Sequence, residues 1–280
     1  MQRLLAVVMI AAAVSGCSTV SVNRAQGAAE AGKAFTQTMG KVNDLALDRS
    51  ISFTADFLST DAPRDEATLN QLTSDIRTRS KLIGDYKAYL QALADYFSEL
   101  EGLSKGDQSE GTATALGKVL DSLKAPPTDL KISDDRKKAL TGLAGLVAKQ
   151  VHAAAVERAL TRDADDVAQA IAVSEKVLDE QIRWISFRER AARELNYTKK
   201  VRTPFLSNQP LTEDWKKSWS AYVRTPPTIV LLEEAREATA TLQKAWRGVL
   251  RGEYSFAELQ ASLLNVKAGV EALTALKDSK

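Results

Sequence analysis

The sequence predicts an all-α protein, an elongated multi-helix bundle built from long helices with heptad patterning. Ala, Leu, Lys and Arg are abundant in its composition, whereas the 280 residues include 14 glycines and 7 prolines, grouped at a few places. Apolar residues recur at helical spacing, and strand-like alternation is absent throughout. Because the apolar stripes are wide, each needs more than one neighbouring helix, which favours a bundle over a two-stranded coiled coil.

The first two predicted helices carry much of this pattern. The first runs from about Ala28 to Leu58, and Asp61-Ala62-Pro63 marks a break before the second. The second has apolar residues at alternating steps of three and four, with Arg79 as the one charged exception. Its stripe comprises Leu69, Leu72, Ile76, Arg79, Ile83, Tyr86, Leu90, Leu93, Phe97 and Leu100. A second row with seven-residue spacing widens the stripe at Leu82, Tyr89, Tyr96 and Leu103.

Five further helices are predicted after a polar loop at residues 102–111. Their starts are indicated by capping residues, acidic first turns or the beginning of a heptad row. They span about Thr112–Leu123, a segment after Ser133 with Leu140 and Val147, a segment from Asp163 to about Arg202, the heptad row Leu232–Val249, and a last helix from the capping box at Ser255.

The N-terminus has the pattern of an export signal. Met1-Gln2-Arg3 is followed by the apolar run Leu4 to Val14 and then by Ser15-Gly16-Cys17. A membrane span needs roughly 18 or more apolar residues, so this shorter run favours a cleaved signal peptide over residues 1–16.

The residues Val14-Ser15-Gly16-Cys17 resemble the lipobox of bacterial lipoprotein precursors. The resemblance implies that signal peptidase II cuts before Cys17 and that this cysteine carries the lipid, palmitate included, at the new N-terminus. It also implies sorting to the outer membrane, because Ser18 and not Asp follows the cysteine. Residues 17–27 are then a short tether, and residues 28–280 a single helical-bundle domain.

Charge and cysteine content narrow the function classes. Lys and Arg number 38 against 36 Asp and Glu, so no global positive field indicates nucleic-acid binding. Cys17 is the only cysteine, which rules out an intramolecular disulfide. We expect no nucleic-acid partner.

Catalytic and metal-binding motifs are missing from the sequence. His152 is the only histidine, and a zinc site would need several carboxylates to converge on it. The Asp163, Asp165 and Asp166 cluster lacks the glycine and terminal Glu of a calcium loop and predicts a solvated first helical turn. Hydrolase, P-loop and Rossmann motifs are absent. The sequence predicts no enzyme, no metal site and no cofactor beyond the covalent lipid.

Residues 183–224 stand apart in charge and aromatic content. They contain ten basic and four acidic residues and three of the four tryptophans. The prolines there predict a loop or short helix between long helices, where binding residues are often found. The predicted binding residues are Arg188, Arg190, Arg193, Lys199, Lys200, Trp215, Lys216, Lys217, Trp219 and Tyr222. Alternatively, the aromatic rings plug one end of the bundle and the Lys and Arg stems cover them.

Two functions are compatible with these features. The first is a membrane-anchored, non-enzymatic scaffold or docking protein of the bacterial cell envelope, in the outer membrane facing the periplasm, with an envelope protein as partner. The second is a binding module for an anionic envelope ligand, a glycolipid or acidic glycan, held by residues 183–224. Both place the chain on the bacterial membrane through its acyl chains.

Overall fold

A computed structural model describes residues 2–60, 62–106, 111–122, 152–208, 210–224, 226–251 and 257–278. Apart from short connections these residues are helical, and none of them forms a strand, so the predicted all-α multi-helix bundle is confirmed. The elements are α1 (Gln2–Thr60), α2 (Glu66–Lys105), α3 (Gly111–Ser122), α4 (His152–Tyr197), a π-helical turn (Thr198–Arg202), α5 (Thr203–Leu206), α6 (Glu213–Val223), α7 (Pro227–Arg251) and α8 (Ala257–Asp278).

The chain divides into two compact units. Unit 1 comprises Met1–Gly40, Asp85–Glu175 and Glu237–Leu264, and unit 2 comprises Lys41–Gly84, Lys176–Arg236 and Asn265–Lys280. Each unit therefore contains its own part of α1, α2, α4, α7 and α8. The assignment of residues 28–280 to a single domain stays a prediction.

Aromatic packing forms the core of unit 1. Trp246 on α7 is 1 % exposed and makes edge contacts with Tyr96 and Phe97 of α2, at centroid distances of 6.3 and 6.0 Å. Its indole N–H donates to the Ala164 carbonyl at 2.8 Å, which satisfies the buried donor. A Cβ atom built on Gly32 of α1 would lie 2.4 Å from the Phe97 ring. Only a residue without a side chain therefore allows α1 to approach α2 this closely.

The aspartate cluster of α4 corrects one prediction. Asp163, Asp165 and Asp166 lie inside a continuous helix that begins at His152, and not in a solvated first turn. Asp163 is fully buried, pairs with Arg162 and accepts a hydrogen bond from the Tyr96 hydroxyl at 3.2 Å. Burial raises the pKa of Asp163 and of Tyr96. Because Arg162 and Tyr96 bond to it, the carboxyl group of Asp163 can be buried in the core.

The charged exception in the α2 stripe is accounted for in unit 2. The Arg79 guanidinium lies 3.7 Å from the centre of the Trp184 ring on α4, with the Arg188 guanidinium 5.5 Å from the same ring. Burial and the neighbouring Arg188 charge lower the pKa of Arg79 to about 10. A cation occupies a stripe position here because it stacks on an aromatic face.

Polar pairs join α1 to α4 in unit 2. Glu189 is buried and accepts a hydrogen bond from Arg49 at 3.2 Å, and the Arg49 guanidinium lies 4.0 Å from the centre of the Phe53 ring. Earlier along the same two helices, the Gln181 amide donates to the Asn43 side chain. These polar contacts link α1 to α4 within unit 2.

Most of the predicted stripe of α2 is buried, and Leu69 and Leu82 are the exceptions. Leu93, Phe97 and Leu100 are fully buried, whereas Leu69 is 51 % and Leu82 36 % exposed. Leu69 lies in the first turn of the helix, and Leu82 lies at the edge of the stripe.

Several predicted helix bounds also need correction. The helix α1 begins at Gln2, so the predicted tether at residues 17–27 is helical, and Ala25 is already buried. The helix α2 continues through Gly102 to Lys105. The predicted helix after Ser133 and the capping box at Ser255 lie outside the described residues.

Candidate recognition surface

The predicted binding segment folds largely as a helical hairpin, residues 193–208 and 210–224. The end of α4 and the π-helical turn form one arm, and α6 returns along them as the other. Two contacts fix this direction: the Trp215 indole N–H donates to the Val201 carbonyl at 3.0 Å, and the Tyr222 ring stacks on Tyr197 at 4.2 Å. The sequence interpretation of a loop or short helix between long helices therefore underestimated its helical content.

A proline explains the π-helical turn. Pro204 has no N–H to donate and its ring crowds the preceding turn, so regular α-helix cannot continue through it unchanged. Directly before it, the Thr203 N–H donates to the Thr198 carbonyl in the wider π-helical pattern. Such single turns are frequent at functional sites.

The return helix α6 has a capped N-terminal end. The Thr212 hydroxyl accepts the Trp215 N–H at 3.3 Å, and two acidic residues, Glu213 and Asp214, follow in the first turn. The connection before it contains Asn208 with a φ of 51°, a left-handed conformation that asparagine tolerates better than most residues. Local sequence thus specifies the start of α6.

Three aromatic rings form a ladder on the hairpin. Phe205 and Trp215 lie 6.1 Å apart, and Trp215 and Trp219 lie 6.5 Å apart with nearly parallel planes. Phe205 is 57 % and Trp219 49 % exposed, while Trp215 is half-buried. The helices α5 and α6 contain no buried residue. This exposure argues against the alternative of an aromatic plug, and the binding role of these rings stays a prediction.

Two of the predicted binding residues hold the hairpin together. The Arg193 guanidinium donates to the Tyr222 carbonyl and, at 2.7 Å, to the Arg224 carbonyl, where α6 has no helical partners left. The Tyr222 hydroxyl donates to Glu194 at 3.0 Å, and this carboxylate raises the pKa of Tyr222. Arg193 and Tyr222 therefore position the surface, whatever else they contact.

The other predicted basic residues lie around the ladder or on α4. Lys199, Lys200 and Lys217 are exposed, and so is Lys216, whose ammonium pairs with Glu213 at 2.6 Å. Arg190 is exposed on α4, and Arg188 is half-buried beside Trp184. The structure thus collects eight of the ten residues on the hairpin and leaves Arg188 and Arg190 on the preceding turns of α4.

A groove of about 350 Å³ lies between α4 and the chain that enters α7, lined by Glu189, Arg190, Arg193 and Tyr222 among others. The sequence pattern did not indicate Glu189 or Glu194 as site residues, although both line this groove. No local signal marks Glu189 as buried, because its partner Arg49 is 140 residues away. A larger groove of about 550 Å³ in unit 1 is lined partly by alanines of α4.

The structure adds little about the predicted lipidation site and the histidine. The side chains of Cys17 and His152 lie outside the described part of the chain. Among the described residues, no group of three or more His, Cys, Asp or Glu residues could hold a metal ion. None of the described helices is long and apolar enough to cross a membrane.

The chain matches no protein-family model, no curated protein and no solved structure.

Proposed function

We propose that the chain is a lipid-anchored, non-enzymatic docking protein of the bacterial cell envelope, in the outer membrane facing the periplasm. The observation that carries this proposal is the order of Val14-Ser15-Gly16-Cys17 after a short apolar run. The covalent lipid on Cys17 provides the membrane attachment, and the helical bundle presents a recognition surface to an envelope protein.

The hairpin supports the docking part of the proposal. Large apolar side chains that are exposed together and surrounded by polar residues are typical of interaction sites. Phe205 and Trp219 are each about half exposed on helices that bury no residue of their own. Contacts from Arg193 and Trp215 hold these helices in place, so the surface is formed before a partner binds.

Charge favours a second candidate, an anionic envelope ligand such as a glycolipid or acidic glycan. Residues 198–224 contain six basic and two acidic residues. Salt distinguishes the two candidates, because binding of a polyanion weakens steeply with ionic strength while an apolar protein interface is less sensitive.

The anchor is tested by Cys17→Ser. We expect loss of radiolabelled palmitate and either uncut precursor or release into the soluble fraction. The control is Ser18→Asp, which keeps the cysteine and changes only the residue proposed to govern sorting, so it should retain the label. Equal labelling of wild type and Cys17→Ser contradicts the lipoprotein proposal.

Docking is tested by capture from envelopes of the strain that produces the chain, with Trp219→Ala as the main variant. We expect the partner that wild type captures to be lost from Trp219→Ala and retained by Leu264→Ala, which truncates an exposed apolar residue of α8. If both variants capture the same protein as wild type, the hairpin is not the docking surface.

A further inference from the structure

We propose that the tip of the hairpin, residues 199–208 and 210–223, binds the headgroup region of an anionic bilayer. The inference rests on the proposed function for bringing the chain to a membrane, and it names the partner of this part of the surface. It provides a second, reversible membrane contact in addition to the lipid on Cys17.

Exposed apolar residues are concentrated at this tip. Five large apolar side chains within 19 residues are between 45 and 66 % exposed. They are Phe205, Leu206, Leu211, Trp219 and Val223. Single exposed apolar residues are ordinary on a protein surface, but a concentration of this kind marks a surface that is covered by a partner.

The accompanying charges fit a lipid surface. The tip contains five basic and two acidic residues, and its Lys199, Lys200, Arg202, Lys216 and Lys217 are all exposed. Trp, Phe and Leu with nearby Lys and Arg are the residue types of interfacial membrane elements. Long basic side chains can reach anionic headgroups while the rings enter the boundary with the acyl chains.

The lack of a shape requirement favours a bilayer over a protein. A protein partner would have to match the exposed rings closely in shape, because the cores of protein interfaces are packed as densely as protein interiors. A bilayer requires no matching shape, so a short strip of rings and lysines is sufficient. The tip needs little ordering on binding, because Trp215 is already bonded to Val201 and Tyr222 is stacked on Tyr197.

The experiment uses the mature acylated protein, with its mass verified, reconstituted into vesicles of phosphatidylglycerol and phosphatidylcholine. The phosphatidylcholine carries brominated acyl chains, which quench tryptophan emission on contact. Trp246 is 1 % exposed in unit 1 and provides a constant background. We expect quenching in these vesicles, and Trp219→Phe should reduce the quenched fraction by about half or more if Trp219 enters the interface.

Charge is tested with matched double variants. Lys216→Glu with Lys217→Glu should lose most of the quenching, as should wild type in vesicles without phosphatidylglycerol or in high salt. The control is Lys81→Glu with Lys244→Glu, which reverses two exposed lysines outside the tip and changes the net charge equally. It should quench like wild type. Circular dichroism verifies that each variant keeps its helical content.

The outcomes separate this inference from the proposed function. Absence of quenching in wild type, or equal quenching in wild type and Trp219→Phe, overturns membrane binding by the tip. If Trp219→Ala then still abolishes capture of an envelope protein, the surface belongs to that protein and the docking proposal stands. A mature chain without acyl mass overturns the anchor instead, and addition of the same vesicles to the unacylated protein still decides whether the tip binds lipid.

Discussion

Trp246 and Trp219 show how differently the two units use the same residue type. Trp246 is 1 % exposed and packs edge-on against Tyr96 and Phe97, whereas Trp219 is 49 % exposed and stacks on the half-buried Trp215. The two regions do not differ in having a hydrogen-bonded indole, since the indole N–H groups of Trp246 in unit 1 and Trp215 on the hairpin both donate to backbone carbonyls. The difference lies in what covers the rings. In unit 1 other helices cover them, and on the hairpin much of the aromatic surface is left to solvent or a partner.

The largest expected loss of stability comes from substitutions in the aromatic core of unit 1. Trp246→Ala or Phe97→Ala should lower the free energy of unfolding by about 3–5 kcal/mol, because each leaves a cavity among fully buried rings. Trp219→Ala is the matched change on the hairpin and should cost less than about 1 kcal/mol. Urea denaturation followed by circular dichroism measures all three. Similar losses at Trp246 and Trp219 would erase the contrast between the two regions.

A smaller effect tests the close approach of α1 and α2 in unit 1. Gly32→Ala places a methyl group 2.4 Å from the Phe97 ring and should cost about 1–3 kcal/mol through overpacking. Gly40→Ala in the same helix is the control, since a Cβ there meets nothing within 4 Å. It should stabilise the protein by up to about 1 kcal/mol through helix propensity. Thermal and urea unfolding of the pair give the comparison, and a neutral Gly32→Ala would mean that the contact is looser than described.

The hairpin has its own, weaker test. Trp215→Phe keeps an aromatic ring and removes the indole donor that bonds to Val201, which should cost about 1 kcal/mol. Hydrogen exchange should show faster exchange in α6 and little change in α2. Trp219→Phe, which has no such bond to lose, should leave exchange in α6 close to wild type. Unchanged protection in Trp215→Phe would show that other contacts hold the hairpin.

The smallest expected effect concerns an ion pair of unit 1. Hydrogen bonds from Lys105 and Lys33 lower the pKa of Glu101 to about 2, from an ordinary value of 4.5. Because the folded pKa is depressed, the contribution to stability is full above about pH 4.5 and is lost as pH falls through about 2. Lys105→Met and Lys33→Met should each raise the pKa of Glu101, as measured by carbon-13 NMR titration. The effect on unfolding should be small, since Lys105 is exposed.

Helix periodicity predicted much of the fold because it depends on residues close in sequence. The stripe of α2 anticipated the burial of Tyr96, Phe97 and Leu100. It overestimated Leu69 and Leu82, since the pattern describes one helix face and burial depends on which neighbours cover it. Arg79 also occupies the stripe, and its stacking on Trp184 could not be deduced from spacing alone.

Long-range pairing accounts for most of the remaining errors. The acidic cluster at Asp163 resembles a helix start because acidic residues favour first turns. Its burial depends on Tyr96, which is 67 residues away, and on the adjacent Arg162. On the hairpin, charge and aromatic content selected Arg193 and Tyr222, but not their contacts with the end of α6 and with Glu194. Composition can locate a surface without distinguishing the residues that build it from those it exposes.

The positions of the tryptophans also allow intrinsic fluorescence to report on each unit separately. Trp246 is enclosed in unit 1 and should emit at short wavelength and resist acrylamide, whereas Trp219 in unit 2 should emit near the wavelength of hydrated indole. Chains that keep one of the two and carry phenylalanine at the other three tryptophan positions would report each unit separately. Denaturation followed at the two wavelengths would then show whether the units melt together or in sequence.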